Sequence, residues 1–369
     1  MSAPIPVVQV LVSTRPGGGP QHVLAVALGL RARGWRPIVA APPDGAMFEQ
    51  FRAAGVETVV LRADRLGPLT AWRLRRLIRD HGARLVHSHG KGAGLHGRVA
   101  ARLVGVPAVH TFHGLHYERY PAPVRAAYLA MERRLARSTR VIVNVSRAQE
   151  VEGLALGLFT ASQSRVIPNG VDVARLAARA LDREGARAAL GLPASATVVG
   201  TAARFDEVKQ LDVLLRAAAM PRATYTLVLI GTGPEEPRLR RLAGEFGLGA
   251  RVVFAGERPE AACLFRAFDV FAAPSRKEGM PLAVVEAMAL GLPVVASDIP
   301  GHRETLSTAS EGLVAGTVEA FAVGLAAATA DPAQRARMGA LNRTRARSEF
   351  DVREMLKLLE AAYREALGL

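Results

Sequence analysis

The sequence predicts an α/β protein built from two doubly wound domains in tandem. Apolar runs of strand length alternate with segments of helical periodicity along the whole chain. The alternation begins afresh after the turn Pro168-Asn169-Gly170. A composition that is 50% hydrophobic but only 5% aromatic suits helices layered on parallel strands better than a sandwich. At 369 residues each half is long enough for its own core, and the facing loops of two such domains enclose a cleft of the kind ligands favour.

The first strand, Val7 to Val12, empties into Ser13-Thr14-Arg15-Pro16-Gly17-Gly18-Gly19-Pro20, and Gln21 to Arg33 then reads as a helix. A strand, a Gly-rich loop and a helix form a phosphate-style turn. His22 stands where a dinucleotide fingerprint needs its last glycine, and no Gly-Lys-Ser/Thr follows, so neither a dinucleotide site nor a P-loop is supported. Strands are expected at about 36–41, 57–61, 84–88, 107–111 and 140–144, with helices at about 45–54, 67–80, 92–104 and 123–137. Ligands of such sheets collect beyond the carboxyl ends of the strands. Two polar clusters fall there, His87-Ser88-His89-Gly90-Lys91 and Thr111-Phe112-His113-Gly114, the second leading into an aromatic loop from Leu115 to Pro121 that contains Tyr117. His113 reads either as a hydrogen-bonded corner or as a ligand contact.

The second series has strands at about 196–201, 225–230, 251–255, 268–272, 293–296 and 312–314. Arg204 and Lys209 follow its first strand, and two long cations five positions apart in a loop can approach a diphosphate from one side. Asp351 to Leu367 closes the chain as an amphipathic helix with Val352, Met355, Leu356, Leu359 and Tyr363 on one face.

Charge is uneven. Residues 1–170 hold 23 Lys and Arg against 9 Asp and Glu, whereas the remainder holds 25 against 24. The excess gathers at Arg73, Arg75, Arg76 and Arg79, and at Arg125, Arg133, Arg134, Arg137 and Arg140. It reads as solvated helix faces or as a surface for an anionic membrane or acidic acceptor. Nucleic acid is not expected, because no binding motif or basic tail accompanies the charge. One cysteine, Cys263, excludes an internal disulfide and a thiolate metal cluster. No apolar run reaches spanning length and the N-terminus lacks a basic leader, so the expected location is the cytoplasm.

The most informative stretch runs from Ser275 to Met288. A short apolar run precedes it, the chain bends at Glu278-Gly279, and a helix is expected to open at Pro281. Glu278 and Glu286 stand eight positions apart, too far along a helix for the roughly 5 Å carboxylate spacing of a retaining glycosidase. They are expected to hold two ends of one elongated ligand, with the amides of Gly279, Met280, Leu282 and Ala283 and the helix dipole forming an anion site between them. The ligand inferred is a nucleotide diphospho-sugar.

Together, Glu278 to Glu286 with Gly-Met-Pro-Leu inside it, Ile167-Pro-Asn-Gly-Val-Asp, Arg204 with Lys209, and Gly17-Gly18-Gly19 resemble glycosyltransferase family 4 over nearly the whole chain. The resemblance implies a GT-B fold of two Rossmann-like domains, residues 1–170 binding acceptor and 171–350 binding donor, with the helix at about 351–369 packing back on the first. It implies a retaining enzyme that moves a sugar from a nucleotide donor, UDP-linked above all, to an acceptor hydroxyl without a metal or other cofactor. Carried over by motif, Arg204 and Lys209 neutralise the leaving diphosphate with the amides of Gly17 to Gly19 and of Gly279, Met280 and Leu282, the last three flanking Pro281. Glu278 contacts the donor sugar, Glu286 grips the ribose, and Gly256 and Arg258 lie in a loop, running to Pro259, that meets the base. His113 sits near the sugar, and His89, Lys91 and Tyr117 belong to the acceptor region.

The family's proposed route is front-face displacement, in which the departing phosphate oxygen takes the acceptor proton. The absence of any Asp-x-Asp agrees with a metal-free reaction. The sequence departs from the family pattern at Gln210, at Thr232 and at Asp298-Ile299-Pro300-Gly301. His89 to Arg102 looks like family members that build cell-surface polysaccharides on lipid carriers, which adds peripheral membrane docking as an expectation beside a soluble acceptor. A nucleotide-sugar epimerase and a non-catalytic nucleotide-sugar binder stand as the alternatives.

Overall fold

Two all-parallel sheets, of seven and six strands, organise the computed structural model of the chain. It describes residues 3–61, 68–115, 117, 118, 120–221, 223–258, 260–307 and 310–369. His116 and Arg119 of the aromatic loop, and Pro259 of the loop expected to meet the base, lie outside the described residues.

The first sheet comprises β1 (Ile5–Val10), β2 (Trp35–Ala41), β3 (Glu57–Val60), β4 (Leu85–His89), β5 (Ala108–Phe112), β6 (Val141–Asn144) and β7 (Ser164–Val166), in the order β3-β2-β1-β4-β5-β6-β7. The second comprises β8 (Val198–Ala202), β9 (Thr226–Ile230), β10 (Val252–Gly256), β11 (Val270–Ala273), β12 (Val294–Ser297) and β13 (Leu313–Val314), in the order β10-β9-β8-β11-β12-β13. Both orders reverse direction beside the first strand of the series, where β1 pairs with β4 and β8 with β11. A crevice opens at such a reversal because the loops leaving the two strands diverge to opposite faces of the sheet.

By contacts the chain divides into two compact units, Met1–Gly170 with Val352–Leu369, and Val171–Asp351. The closing helix, Val352–Leu367, belongs to the first unit because its apolar face has nowhere else to go. Met355, Leu356, Leu359 and Tyr363 are buried with Val7, Val26, Leu30 and Trp35. Burial of a large side chain contributes about 1.5–3 kcal/mol, so this face holds the helix firmly. The fit is close at Gly29, where a methyl group would lie 2.1 Å from Leu356. The second unit has its core between β8, β9 and β11 and the helices Leu211–Ala218 and Val318–Ala330.

Element boundaries differ from the sequence expectation in instructive ways. The helix expected from Gln21 already begins at Gly18 (Gly18–Arg31), so Gly18 and Gly19 form a first turn rather than a loop. Pro281 is the N-cap rather than the first helical residue, with ψ at 99°, and the helix spans Leu282–Ala289. The helix Arg147–Ala155 was not expected at all, although Ser146 caps the amide of Gln149 in a recognisable Ser-x-x-Gln start. Cys263 is free and partly exposed.

Candidate active site

In the second unit, both reversal strands deliver charge. Beyond β8 the chain makes a short 3-10 turn, Glu207–Lys209, capped by the Asp206 carboxylate accepting from the Val208 amide. Lys209 then reaches across to the loop beyond β11 and donates to Glu278 Oε1 at 2.6 Å. The pair is largely shielded from water, with side-chain exposures of 26% for Lys209 and 13% for Glu278. Burial pushes the Glu278 carboxyl up, but Lys209, with His302 and Ser275, outweighs it and holds the group below its ordinary value, so Glu278 is ionised.

Glu286 behaves in the opposite way. It lies one turn inside Leu282–Ala289, and burial with no offsetting cation raises its carboxyl from 4.5 to about 7. Between the two carboxylates the helix start has no side-chain cap and no acidic residue in its first turn. Among the described residues the amides of Gly279, Leu282 and Ala283 find no partner. An uncapped helix start next to a lysine is suited to an anion.

Not every expected residue joins this group. Arg204 turns to Asp206 at 3.3 Å and is 65% exposed, leaving it clear of the Lys209–Glu278 pair. Gly256 ends β10, two strands from β8 or roughly 10 Å away, and Arg258, just beyond it, donates back to Ala255 O at 3.0 Å.

His302 and Ser297, missed in the sequence, complete the shell with Gly301. His302, fully buried, holds its Nδ1 against the backbone oxygen of Ser297 at 2.8 Å and, among the described residues, leaves Nε2 without a partner. Ser297 in turn donates to the backbone oxygen of Ser275. Gly301 lets the helix Pro300–Leu306 approach Glu278, since a methyl group there would lie 2.5 Å from the Glu278 carbonyl oxygen. The departure Asp298-Ile299-Pro300-Gly301 therefore borders Glu278 itself. Gln210, another departure, adopts a left-handed conformation at φ 46°, which accounts for a preference for glycine there.

The first unit assembles imidazoles instead. The loop after β1 is fastened by Asp44, whose carboxylate accepts from the Thr14 amide at 2.6 Å, and it delivers Gly17 to an uncapped helix start where Gly18 and Gly19 offer free amides. His22, one turn along that helix, meets His89 from β4 and His113 from beyond β5, with ring centroids 5.6 and 5.0 Å away. His89 Nδ1 lies 3.1 Å from His113 Nε2.

Behind them runs a buried hydrogen-bond chain. His89 Nε2 donates to Gln9 Oε1 at 2.8 Å, and Gln9 Nε2 donates to Tyr363 Oη at 2.9 Å. Tyr363 Oη donates to His87 Nδ1 at 2.6 Å, and His87 Nε2 to Thr111 Oγ1 at 2.7 Å. Burial drives every imidazole of the cluster below its ordinary value, His22 to about 4, so all are neutral near pH 7.

Lys91 and Tyr117, expected in the acceptor region, are engaged elsewhere. The Lys91 ammonium lies 4.5 and 4.9 Å from the ring centres of Tyr120 and Tyr128. Tyr117 meets Glu152, and burial with that carboxylate pushes its phenol up to about 12. Arg98 is likewise structural, its guanidinium sealed against Glu132 at 2.5 Å with both side chains fully buried.

The comparisons with known proteins agree with this arrangement. Residues 16–175 match the family model described as Glycosyltransferase Family 4, and residues 182–345 the one described as Glycosyl transferases group 1. The D-inositol 3-phosphate glycosyltransferase of Saccharomonospora viridis is 34% identical over 311 residues, 77% of this chain and 70% of that protein. Its counterpart from Rhodococcus opacus is 33% identical over 281 residues, 69% of this chain, and the chain spans 61% of its length. Among solved structures, HepE of Anabaena in complex with UDP and glucose superposes with a TM-score of 0.86 at 23% identity, covering 97% of this chain and 99% of that one. Sucrose-phosphate synthase from Thermosynechococcus elongatus gives 0.84 at 25% identity, covering 99% of both. With two doubly wound units and a relative of this identity and coverage, the chain belongs to glycosyltransferase family 4 and has the GT-B fold.

Proposed function

We propose that the protein is a retaining glycosyltransferase that moves a sugar from a UDP-sugar to an acceptor hydroxyl without a metal, with the second unit holding the donor. The observation that carries this reading is the Lys209–Glu278 pair standing before an uncapped helix start. Lys209 and the amides of Gly279, Leu282 and Ala283 take the diphosphate, and the exposed Arg204 leaves Asp206 and swings in to share its charge. Ionised Glu278 accepts from donor-sugar hydroxyls, and Glu286 accepts from the ribose.

The bond between the anomeric carbon and the phosphate oxygen breaks as the acceptor oxygen attacks from the same face, and the acceptor proton passes to the departing phosphate oxygen. Stabilising that departing charge is the main contribution to rate. Because the charge is met by protein cations and amides, and the chain has no Asp-x-Asp, a metal is not needed. UDP is favoured as the nucleotide because HepE, of the same fold, binds UDP and UDP-glucose.

The first unit takes the acceptor, with neutral His113 near the reacting hydroxyl. A phosphorylated polyol joins lipid-linked and small-molecule acceptors as a substrate class to try, since the relatives act on D-inositol 3-phosphate. Peripheral docking on an anionic membrane is also part of the reading. Arg84, Arg102, Arg134, Arg137 and Arg140 line two adjoining pockets of the first unit that share Arg137 and Ser138. Among the described residues none of the five has a carboxylate partner. Loss of pelleting with anionic vesicles at every salt concentration would remove that part.

The decisive experiment incubates the purified protein, without metal, with UDP-, GDP-, ADP- and dTDP-sugars and follows nucleotide release. Slow release that disappears in Glu278→Ala is the expected result. Isomerised sugar still bound to nucleotide would establish an epimerase instead, and tight binding without turnover a non-catalytic binder.

A further inference from the structure

The donor atoms of His22, His89 and His113 all lie within 4.8 Å of one another. Three nitrogens bound to one metal at 2.0–2.1 Å stand about 3.3 Å apart when the geometry is tetrahedral. His89 Nδ1 and His113 Nε2 already meet that spacing at 3.1 Å. Only His22 has to close in, and it comes from a separate element, the helix Gly18–Arg31, so a small shift of that helix's first turns suffices.

The shell behind the triad is also of the right kind. A metal-bound histidine normally donates its second ring N–H to an oxygen, which fixes the ring and its lone pair. His89 does this, giving Nε2–H to Gln9 Oε1 and turning the Nδ1 lone pair toward the other two rings. Gln9 is itself held by Tyr363. Among the described residues neither nitrogen of His22 completes a hydrogen bond of good geometry, and the Asn169 side chain is its polar neighbour. His113 needs only to move its ring proton from Nε2 to Nδ1.

We propose that His22, His89 and His113 form a binding site for a divalent transition metal, Zn2+ above all, and that occupancy inhibits the enzyme by withdrawing His113 Nε2. Three imidazoles select Zn2+, Co2+ or Ni2+ over Mg2+, which prefers oxygen ligands. The inhibition rests on the transferase reading, in which His113 serves the reacting hydroxyl. The binding does not.

The test uses full-length protein freed of any affinity tag and of metal by chelation. Titration with Co2+ alone is expected to give one equivalent of bound metal with the intense d–d absorption of a tetrahedral site, bleached by Zn2+. His22→Ala should abolish the spectrum. Gln9→Leu, which keeps all three ligands and removes the outer partner, should weaken Co2+ binding about 10- to 100-fold. Circular dichroism and melting of each metal-free variant separate lost binding from lost folding.

No tetrahedral spectrum in the wild type, or a spectrum unchanged in a folded His22→Ala protein, overturns the site. Zn2+ should also stop the acceptor-dependent part of nucleotide release in the wild type, with chelator restoring it, and His22→Ala should require at least tenfold more Zn2+. Co2+ binding with full activity under Zn2+ overturns the inhibitory role. A preparation with no turnover on any donor bears on the transferase reading alone, because the Co2+ spectrum still decides the metal site.

Discussion

The two sheets carry the same topology and place their candidate site residues at the same point of it, yet they solve the electrostatic problem in opposite ways. Beyond β8 and β11 the second unit buries formal charge, with Lys209 facing ionised Glu278. Beyond β1, β4 and β5 the first unit gathers neutral imidazoles, joined through Gln9 and Tyr363. A fold that repeats therefore does not dictate its chemistry. A leaving diphosphate calls for charge, whereas a hydroxyl nucleophile calls for neutral groups that accept or pass a proton without repelling or trapping an anion.

Breaking the charged side should have the largest effect. Lys209→Ala removes the cation proposed to meet the leaving group and is expected to lower kcat about 10²- to 10³-fold, measured as metal-free nucleotide release. Parity with the wild type would remove Lys209 from the reaction.

Glu286 sharpens the contrast through pH. Its carboxyl in the fold is raised from 4.5 to about 7, so between those values the folded state keeps a proton that the unfolded chain has released. Stability from this group is present below pH 4.5 and is lost as pH rises to about 7, by about 3 kcal/mol in total. Glu286→Gln should flatten that fall in urea unfolding and leave the variant more stable than wild type at pH 8. A wild-type-like pH slope in the variant would assign the titration to another group.

The neutral side should respond more mildly. Tyr363→Phe strands His87 Nδ1 and the Gln9 amide and should cost about 1–3 kcal/mol of stability. If the chain exists to orient His89 and His113, acceptor transfer should fall while donor hydrolysis persists. Equal loss of both would make Tyr363 a packing residue only. Gln210→Gly has the smallest expected effect. It removes a left-handed conformation from a residue with a side chain and should stabilise the protein by about 1 kcal/mol at most, read from the urea midpoint.

Much of the fold was legible because parallel strands buried on both faces read as apolar runs, and the polar residues that end them marked the carboxyl edge. The helix Arg147–Ala155 escaped because it is short and held by its cap, which is a local signal rather than a periodic one. Lys209 and Glu278 were named from the sequence, but their contact spans 69 positions and no spacing rule reports it. His302 and Ser297 were hidden in a stretch read for its turn. Gln9 and His22 did leave a trace: Gln9 is a polar residue inside the run Val7-Val8-Gln9-Val10, and His22 lies one turn beyond Gly18 in the same helix. A buried polar group has to be satisfied by something. Asking what satisfies Gln9 leads to Tyr363, 354 positions away.

That last separation has a consequence for synthesis. The first unit is left at Gly170 and resumed at Val352, so its sheet emerges from the ribosome long before the helix that covers it. At roughly 5–20 residues per second, the second unit occupies the ribosome for about 10–40 s, enough for it to fold while the first remains open along the face that awaits Met355, Leu356 and Tyr363. Translation thus has a built-in order, with the second unit finished first and the imidazole cluster of the first braced only when the final helix arrives. A chain stopped at Asp351 should keep the second unit's cooperative unfolding transition and lose the first's, so that truncated products declare themselves to the cell's proteases by an uncovered sheet.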